Sequence, residues 1–290
     1  MLPAKSLDNK IKKFWPENGP PVQEIDKYIK KYAKEKIVIK CGGRILLDPS
    51  LFNNFISDVS ILQRLGLTPI VVHGGGPRIK KKMDELNIES KFIMGLRVTD
   101  DKVIKIVENV MTEFNKEIVN ALEKKMCKAK SITIKENIAI YAKQKNKELG
   151  YVGSPNKIDS NVIKNLIKEN FIPVVAPMGI DENRQAYNIN ADVAAGALAT
   201  SLKSRRLLLM TDVEGVYNKD KKLISELKPG DAEKLIHDGT ISEGMIPKIK
   251  TCINAIDNGV KGVVIIDGRK PHSILFELFS DEGSGTLIRK

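Results

Sequence analysis

The sequence predicts an α/β protein built on a mainly parallel, open sheet, and two stretches carry that expectation. Lys36-Ile-Val-Ile-Lys-Cys-Gly-Gly43 is a β-branched run ending in a lysine and two glycines, the pattern of a buried strand that opens into a tight turn. Pro69-Ile-Val-Val-His-Gly-Gly-Gly-Pro77 repeats it, with a proline at the start of a following helix. Two strand–glycine–helix units in one series predict parallel strands whose glycine ends share an edge. Bare backbone N–H groups at such an edge suit phosphate oxygens, and Lys40 adds a positive charge beside them. The same residues also read as a strand, an exposed lysine and a turn.

The remaining elements follow in order. Leu7, Ile11, Phe14 and Trp15 sit at helical spacing before the breaker-rich Trp15-Pro-Glu-Asn-Gly-Pro-Pro21. This predicts a short amphipathic helix separated from the body, whose apolar stripe needs a partner surface. A second helix is expected over 22–35, with Val22, Ile25, Tyr28, Ile29 and Tyr32 on one face. After Gly43 a helix is expected over about 49–65, closed by Gly66. Met94-Gly-Leu-Arg-Val-Thr-Asp100 reads as a turn carrying Arg97, with Thr99-Asp100 capping a helix over 101–125. An arginine on such a loop suits a bidentate carboxylate clamp, or equally a surface ion pair.

Alternation in Ile132-Thr-Ile134 and Ile138-Ala-Ile140-Tyr141 reads as an antiparallel hairpin within 131–152. A helix near 159–169 and a strand over 172–176 close this half. Tyr187-Asn-Ile-Asn-Ala-Asp192 then enters a small-residue helix over 193–200, with Asn190 or Asp192 able to cap it. Arg206–Tyr217 is a strand with polar groups at its C-terminal end, the usual ligand edge of such a sheet. Gly244-Met-Ile-Pro-Lys248 precedes another helix, and Gly262–Gly268 forms a last buried strand. The chain divides into an arm at 1–36, an N-lobe at 37–178 and a C-lobe at 179–290.

Composition narrows the function classes. The 290 residues carry a net charge of +12, but the lysine runs are spread along the chain and aromatics are only 5%. No nucleic-acid motif interleaves with them, so the charge reads as solvated helix faces that attract anionic substrates. Nucleic-acid binding is the weaker alternative. Cys41, Cys127 and Cys252 lack metal or redox spacing, which points to reduced thiols in the cytoplasm. His73, His237 and His272 are far apart, so no protein-held metal is expected. No apolar run reaches membrane-spanning length and the lysine-rich N-terminus has no apolar signal segment. Ile79 stands where a GxGxxG fingerprint needs its third glycine, and no P-loop or protein-kinase signature occurs.

Six motifs in order, KCGG (40–43), HGGGP (73–77), GLRVT (95–99), YNINAD (187–192), TDVEGVY (211–217) and GMIPK (244–248), resemble the amino-acid kinase family. Within it they resemble the branch that phosphorylates N-acetyl-L-glutamate, over nearly the whole chain from residue 22. The resemblance implies a three-layer αβα sandwich and ATP-dependent phosphorylation of a side-chain carboxylate in arginine biosynthesis. Lys40 and Lys248 would flank the transferring group and Asp192 would hold both. Gly75, Gly76, Arg97 and Asn188 would bind the acceptor, with Arg97 on its α-carboxylate. Gly42 and Gly43 would meet phosphoryl oxygens, and Thr211, Asp212, Gly215 and Tyr217 fall where the family binds nucleotide. Mg²⁺ would be held mainly by ATP.

The resemblance extends to arginine-sensitive, hexameric members. It implies L-arginine as inhibitor at Tyr28, His272, Glu277 and Gly283, a hexamer rather than a dimer, and a PII-type regulator as a further partner. Glu243 departs from the family, where glycine is common. A sister kinase acting on an aminoadipate-type substrate and a non-catalytic arginine sensor are the alternatives.

Overall fold

The computed structural model describes residues 11–22, 25–43, 45–242 and 244–290. Its elements begin α1 (Ile25–Tyr32), β1 (Lys36–Cys41), α2 (Pro49–Arg64), β2 (Thr68–His73), α3 (Gly76–Glu85), β3 (Phe92–Ile93), β4 (Leu96–Arg97) and α4 (Asp101–Lys124). They continue β5 (Ala129–Ile132), β6 (Ile140–Gln144), β7 (Gly153–Ile158), α5 (Ser160–Lys168), β8 (Ile172–Val175), β9 (Met178–Ile180), β10 (Ala186–Asn188) and α6 (Ala191–Ser201). The last are β11 (Arg206–Thr211), β12 (Val216–Tyr217), β13 (Leu223–Ile224), β14 (Glu226–Leu227), α7 (Pro229–His237), α8 (Met245–Asp257), β15 (Val263–Asp267), α9 (Ser273–Phe279) and β16 (Gly285–Ile288).

Eight strands form one sheet in the order β14-β16-β15-β11-β1-β2-β8-β5. All its pairs are parallel except β15 with β16. Alternate residues of the central strands serve opposite faces, as strand geometry requires. Val38, Val72, Leu207 and Ile265 join one cluster with Ala194, Leu198, Ile249 and Ile256 of α6 and α8. Ile37, Ile39, Val71, Leu208 and Ile266 join a second with Phe55, Val59 and Phe114 of α2 and α4. Both faces are therefore covered, which gives three layers and explains why the strands read as continuous apolar runs.

Local chemistry places the helices. Asp48 caps α2 by accepting from the N–H groups of Ser50 and Leu51, and Gly66 takes a left-handed φ of 78° just beyond its end. Asp100 alone caps α4, accepting from Lys102 and Val103 N–H, so Thr99 is released for another use. Asn190 caps α6 through Asp192 and Val193 N–H, and this leaves the Asp192 carboxylate free to face elsewhere.

Three expectations are corrected. The hairpin within 131–152 does not form: β5 is the parallel edge strand of the main sheet, next to β8. After a turn in which Thr133 N–H donates to Glu136 O, the chain leaves that sheet, and β6 pairs antiparallel with β7 in a second sheet of order β10-β9-β6-β7. The helix expected over 22–35 ends at Tyr32, three residues early; its described part is Ile25–Tyr32. The apolar stripe before the linker is not detached in its described part. Ile11 is 2% exposed, Phe14 and Trp15 join the α2–α4 core, and Trp15 meets Phe279 edge-on with ring centres 5.6 Å apart. Leu7 lies outside the described residues. β1 and β11, from the two halves of the chain, are neighbours in the main sheet.

Candidate active site

The C-terminal ends of β1, β2 and β11 meet at one edge of the sheet. Lys40 lies between Leu209 and Val72 in register, one residue before the end of β1. Its side chain reaches Asp192 in the first turn of α6, with Nζ 2.7 Å from Oδ1. Lys248, in the first turn of α8, places its Nζ 2.7 Å from Oδ2 of the same carboxylate. α6 and α8 approach closely because Gly196 has no side chain; a Cβ there would lie 2.9 Å from Thr251 Cγ2. Burial alone would raise the Asp192 carboxyl, but Lys40 and Lys248 hold it down at about 2. One carboxylate thus fixes the spacing of two ammonium groups and leaves a net positive charge at the strand edge.

The two glycine loops touch, as their strand order requires. Gly74 N–H donates to Cys41 O at 2.9 Å, which joins the end of β2 to the end of β1. A Cβ on Gly43 would lie 2.6 Å from Pro77 Cδ, and one on Gly74 would lie 3.1 Å from Gly43 N. Side chains at either position would part the loops. Gly75 and Gly76 open α3, whose first N–H groups lack intrahelical acceptors and suit anionic oxygens.

Behind this loop His73 is fully buried. Its Nδ1 lies 3.2 Å from Gly74 O and its Nε2 lies 3.1 Å from Asn115 Nδ2, which also donates to Val174 O at 2.9 Å. A carbonyl only accepts and an amide NH₂ only donates, so the proton sits on Nδ1 and the ring is neutral. Burial pushes the imidazole down to about 4.

Arg97, at the end of β4, is 8% exposed. Its guanidinium donates to Ser90 Oγ at 2.5 Å and to Gly76 O at 3.1 Å, and stacks over Phe92 with Cζ 4.8 Å from the ring centre. Among the described residues no carboxylate lies within ion-pair distance of it. Burial lowers its pKa and the more distant Asp84 opposes the shift, while its direct hydrogen-bond partners are neutral. A buried cation with neutral partners is matched to an anion that arrives with a ligand.

A cavity of about 550 Å³ gathers these groups. Lys40, Gly42, Gly43, Gly75, Gly76, Arg97, Asn188, Thr211, Asp212 and Lys248 all line it. Gly215 and Tyr217 do not. They line a neighbouring hollow of about 160 Å³ with Thr240, Ser242 and Met245. The TDVEGVY motif divides between Asp212, in the main cavity, and Val213, in the hollow. Glu243 lies outside the described residues.

Of the four residues assigned to arginine, Glu277 and Gly283 meet, and Tyr28 packs on the helix that carries Glu277. Tyr28 meets Phe279 edge-on at 6.3 Å. Glu277, on the same helix as Phe279, accepts from Ser284 N–H at 3.0 Å, and a Cβ on Gly283 would lie 2.9 Å from its Oε2. His272 instead faces α2, with Nδ1 2.6 Å from Asp58 Oδ1. Burial raises the Asp58 carboxyl to about 6 although His272 opposes the shift. Cys41, Cys127 and Cys252 are free and buried. Among the described residues no helix is long and apolar enough to cross a membrane.

Sequence reasoning missed Ser90, Phe92 and Thr99. Ser90 and Phe92 carry no motif, and they reach Arg97 only because the β3–β4 hairpin folds back. Thr99 lay inside a recognised motif but was assigned to the helix cap that Asp100 supplies.

The profile of the amino acid kinase family matches residues 35–267. Acetylglutamate kinase of Pelagibacter ubique (strain HTCC1062) is 57% identical over 275 residues, covering 95% of this chain and 96% of that protein. N-acetylglutamate synthase from Neisseria gonorrhoeae, complexed with coenzyme A and N-acetyl-glutamate, shares the fold with a TM-score of 0.84 at 24% identity; the match covers 92% of this chain and 62% of the synthase. The same synthase complexed with coenzyme A and L-arginine matches with a TM-score of 0.80 at 23% identity, over 92% and 64% of the two chains. A family profile spanning strands β1 to β15 and a relative matched along almost its full length agree with the three-layer fold and its phosphate-suited edge: this chain belongs to the amino acid kinase family.

Proposed function

We propose that the cavity binds ATP beside N-acetyl-L-glutamate and transfers the γ-phosphoryl group to the side-chain carboxylate, giving N-acetyl-L-glutamyl 5-phosphate for arginine biosynthesis. The double ion pair of Lys40 and Lys248 with Asp192 carries this reading. In-line phosphoryl transfer needs charge neutralisation and positioning rather than covalent help. Two lysines held at fixed spacing supply charge on either side of the moving group, and Asp192 keeps them in place without reorganisation. No general base is required, because a carboxylate with an ordinary pKa of about 4.3 is already ionised near neutral pH.

The other residues take complementary roles. N–H groups of Gly43 and Gly75 meet phosphoryl and acceptor oxygens. Arg97 clamps the α-carboxylate, with Asn188 and Gly76 beside it. Thr211 and Asp212 in the main cavity, and Gly215 and Tyr217 in the neighbouring hollow, hold the nucleotide. Among the described residues no three His, Cys, Asp or Glu side chains group as a metal site. Mg²⁺ would come with the nucleotide, held mainly by phosphates and water, and would supply neutralisation of phosphate charge.

Turnover of N-acetyl-L-glutamate with ATP and Mg²⁺, trapped as a hydroxamate, tests the reading. A clear preference for N-acetyl-L-glutamate over N-acetyl-L-aminoadipate is expected; the reverse order would move the acceptor to the longer homologue. L-arginine is the inhibitor in the same reading, held by Tyr28, His272, Glu277 and Gly283. The half-buried Glu277 carboxylate suits a guanidinium there. The arm at 1–36 would join dimers into a hexamer. Inhibition curves and sedimentation mass with and without arginine test both.

A further inference from the structure

We propose that Thr99 is a positioning residue whose single hydroxyl aligns the two polar side chains of the acceptor pocket, Arg97 and Asn188. The proposal rests on the reading of that pocket given above. Thr99 is completely buried. Its backbone is held on both sides: its N–H donates to Leu149 O at 3.0 Å, and its carbonyl accepts from Tyr151 N–H at 2.6 Å. The backbone crossing needs Gly150, which has a left-handed φ of 66° and passes so close to Thr99 O that any side chain would strike it. The hydroxyl is thus delivered to a fixed point by neighbours outside the cavity.

That hydroxyl has two partners, both from the acceptor pocket. It donates to Arg97 O at 2.9 Å and accepts from Asn188 Nδ2 at 3.3 Å. The first bond sets the backbone from which the Arg97 guanidinium departs. The second has a consequence for orientation. A hydroxyl has one proton, and a carbonyl can only accept, so that proton is committed to Arg97. Asn188 must then present its NH₂ group to Thr99. Its amide oxygen is turned away from Thr99, and Asn188 lines the cavity. Asn188 N–H is separately bonded to Tyr151 O at 2.9 Å, which fixes its backbone and leaves the side-chain torsions to the Thr99 hydroxyl.

An amide locked in this sense offers an acceptor to a ligand N–H. The ligand class it favours is an N-acylated amino acid, whose amide nitrogen keeps one hydrogen. An ester analogue of the same shape places oxygen where that N–H was and meets an acceptor with an acceptor. Sites built around a hydrogen bond discriminate strongly against analogues that lack the partner. Without the Thr99 hydroxyl the Asn188 amide is free to rotate, and the discrimination falls.

The test compares Thr99→Val, which removes the hydroxyl at constant shape, with Thr99→Ser, which keeps it. KM for N-acetyl-L-glutamate, KM for ATP, and the ratio of kcat/KM for N-acetyl-L-glutamate over 2-acetoxyglutarate are measured for each. Thr99→Val is expected to raise the acceptor KM about 10- to 100-fold, the cost of leaving buried polar partners unmet. Its KM for ATP should stay within about two-fold, and the amide-over-ester ratio should fall about ten-fold. Thr99→Ser should stay within about three-fold of the unmodified chain on all three. Thr99→Ala against Thr99→Ser gives the same comparison should the valine variant not fold. Equal behaviour of hydroxyl-bearing and hydroxyl-free variants would overturn the proposal. So would a parallel rise in both KM values, or an unchanged amide-over-ester ratio, each of which marks a packing role. If the unmodified chain does not turn over N-acetyl-L-glutamate, the pocket reading falls and this proposal falls with it.

Discussion

Lys248 Nζ lies 2.7 Å from Asp192 Oδ2, although 56 residues of chain separate them and each sits on its own helix. The pair is closed by Lys40 on the other carboxylate oxygen, so neither lysine is positioned by its own element alone. Asp192→Asn keeps the shape and removes the charge that holds two ammonium groups together. It is expected to lower kcat by about 10²-fold or more, the scale for loss of preorganised transition-state charge. Lys40→Ala and Lys248→Ala should each fall in the same range. Steady-state kinetics check this, and near-normal turnover in any of the three would remove the phosphoryl-transfer role.

The same carboxylate sets an acid limit on stability. Its folded pKa is about 2 against an ordinary 3.8. The folded value is depressed, so its contribution is present above about pH 4 and is lost as pH falls toward 2. The loss amounts to about 2 kcal/mol. Asp192→Asn should therefore flatten the fall in Tm over that interval. An unchanged slope would place the acid sensitivity elsewhere.

Arg97 makes a separable prediction. Among the described residues its guanidinium bonds to neutral groups, and it lies over Phe92. Arg97→Lys keeps a positive charge but loses the planar fork. It should raise the acceptor KM about 10-fold or more with kcat/KM falling in proportion, since a charge-assisted hydrogen bond contributes about 1.5–3 kcal/mol. KM for ATP should hold. An effect on ATP alone would reassign the residue to the nucleotide.

His73 predicts a pH effect of its own. Burial lowers its pKa from 6.5 to about 4, with Arg78 acting in the same direction. Between those values the unfolded chain binds a proton that the folded chain refuses, so stability rises with pH across the interval. The full effect is about 3 kcal/mol, complete above pH 6.5 and lost progressively as pH falls toward 4. Asp58, raised to about 6, opposes it over part of the range. The comparison is therefore between the unmodified chain and His73→Gln. The glutamine variant should show the shallower Tm slope between pH 4 and 6.5; equal slopes would contradict a buried neutral imidazole.

Sequence made the sheet legible where physics is local. Ile37, Val38 and Ile39 are buried on both faces, so a short unbroken apolar run marks a central strand. The glycine loops were legible because their strands are parallel neighbours. Alternation, by contrast, reports which residues face inward and not which strand lies alongside: Ile132 and Ile140 alternate alike but end in different sheets. Thr99 escaped for a related reason. A threonine before an aspartate has a local use as a helix cap, whereas its partner Asn188 is 89 residues away. The TDVEGVY stretch was read as one site, and the chain passes from one hollow to the next between Asp212 and Val213.

Gly75 joins the glycine loop to the wall of the acceptor pocket. A Cβ there would lie 2.6 Å from Met111 Sδ and 2.7 Å from Met111 Cε. Met111 is buried and lines the cavity, so its displacement costs acceptor space rather than phosphate contacts. The clash is with the far end of a flexible side chain, whereas a Cβ on Gly43 would meet the rigid ring of Pro77. Gly75→Ala should therefore raise the acceptor KM while Gly43→Ala lowers kcat, because only the second parts the two loops. Met111→Val removes the atoms that clash and should restore Gly75→Ala toward the unmodified KM. Residues in contact of this kind commonly couple by about 0.5–3 kcal/mol, and a double-mutant cycle on the acceptor KM measures it. Additive effects of the two substitutions would show that Met111 does not set the space at Gly75.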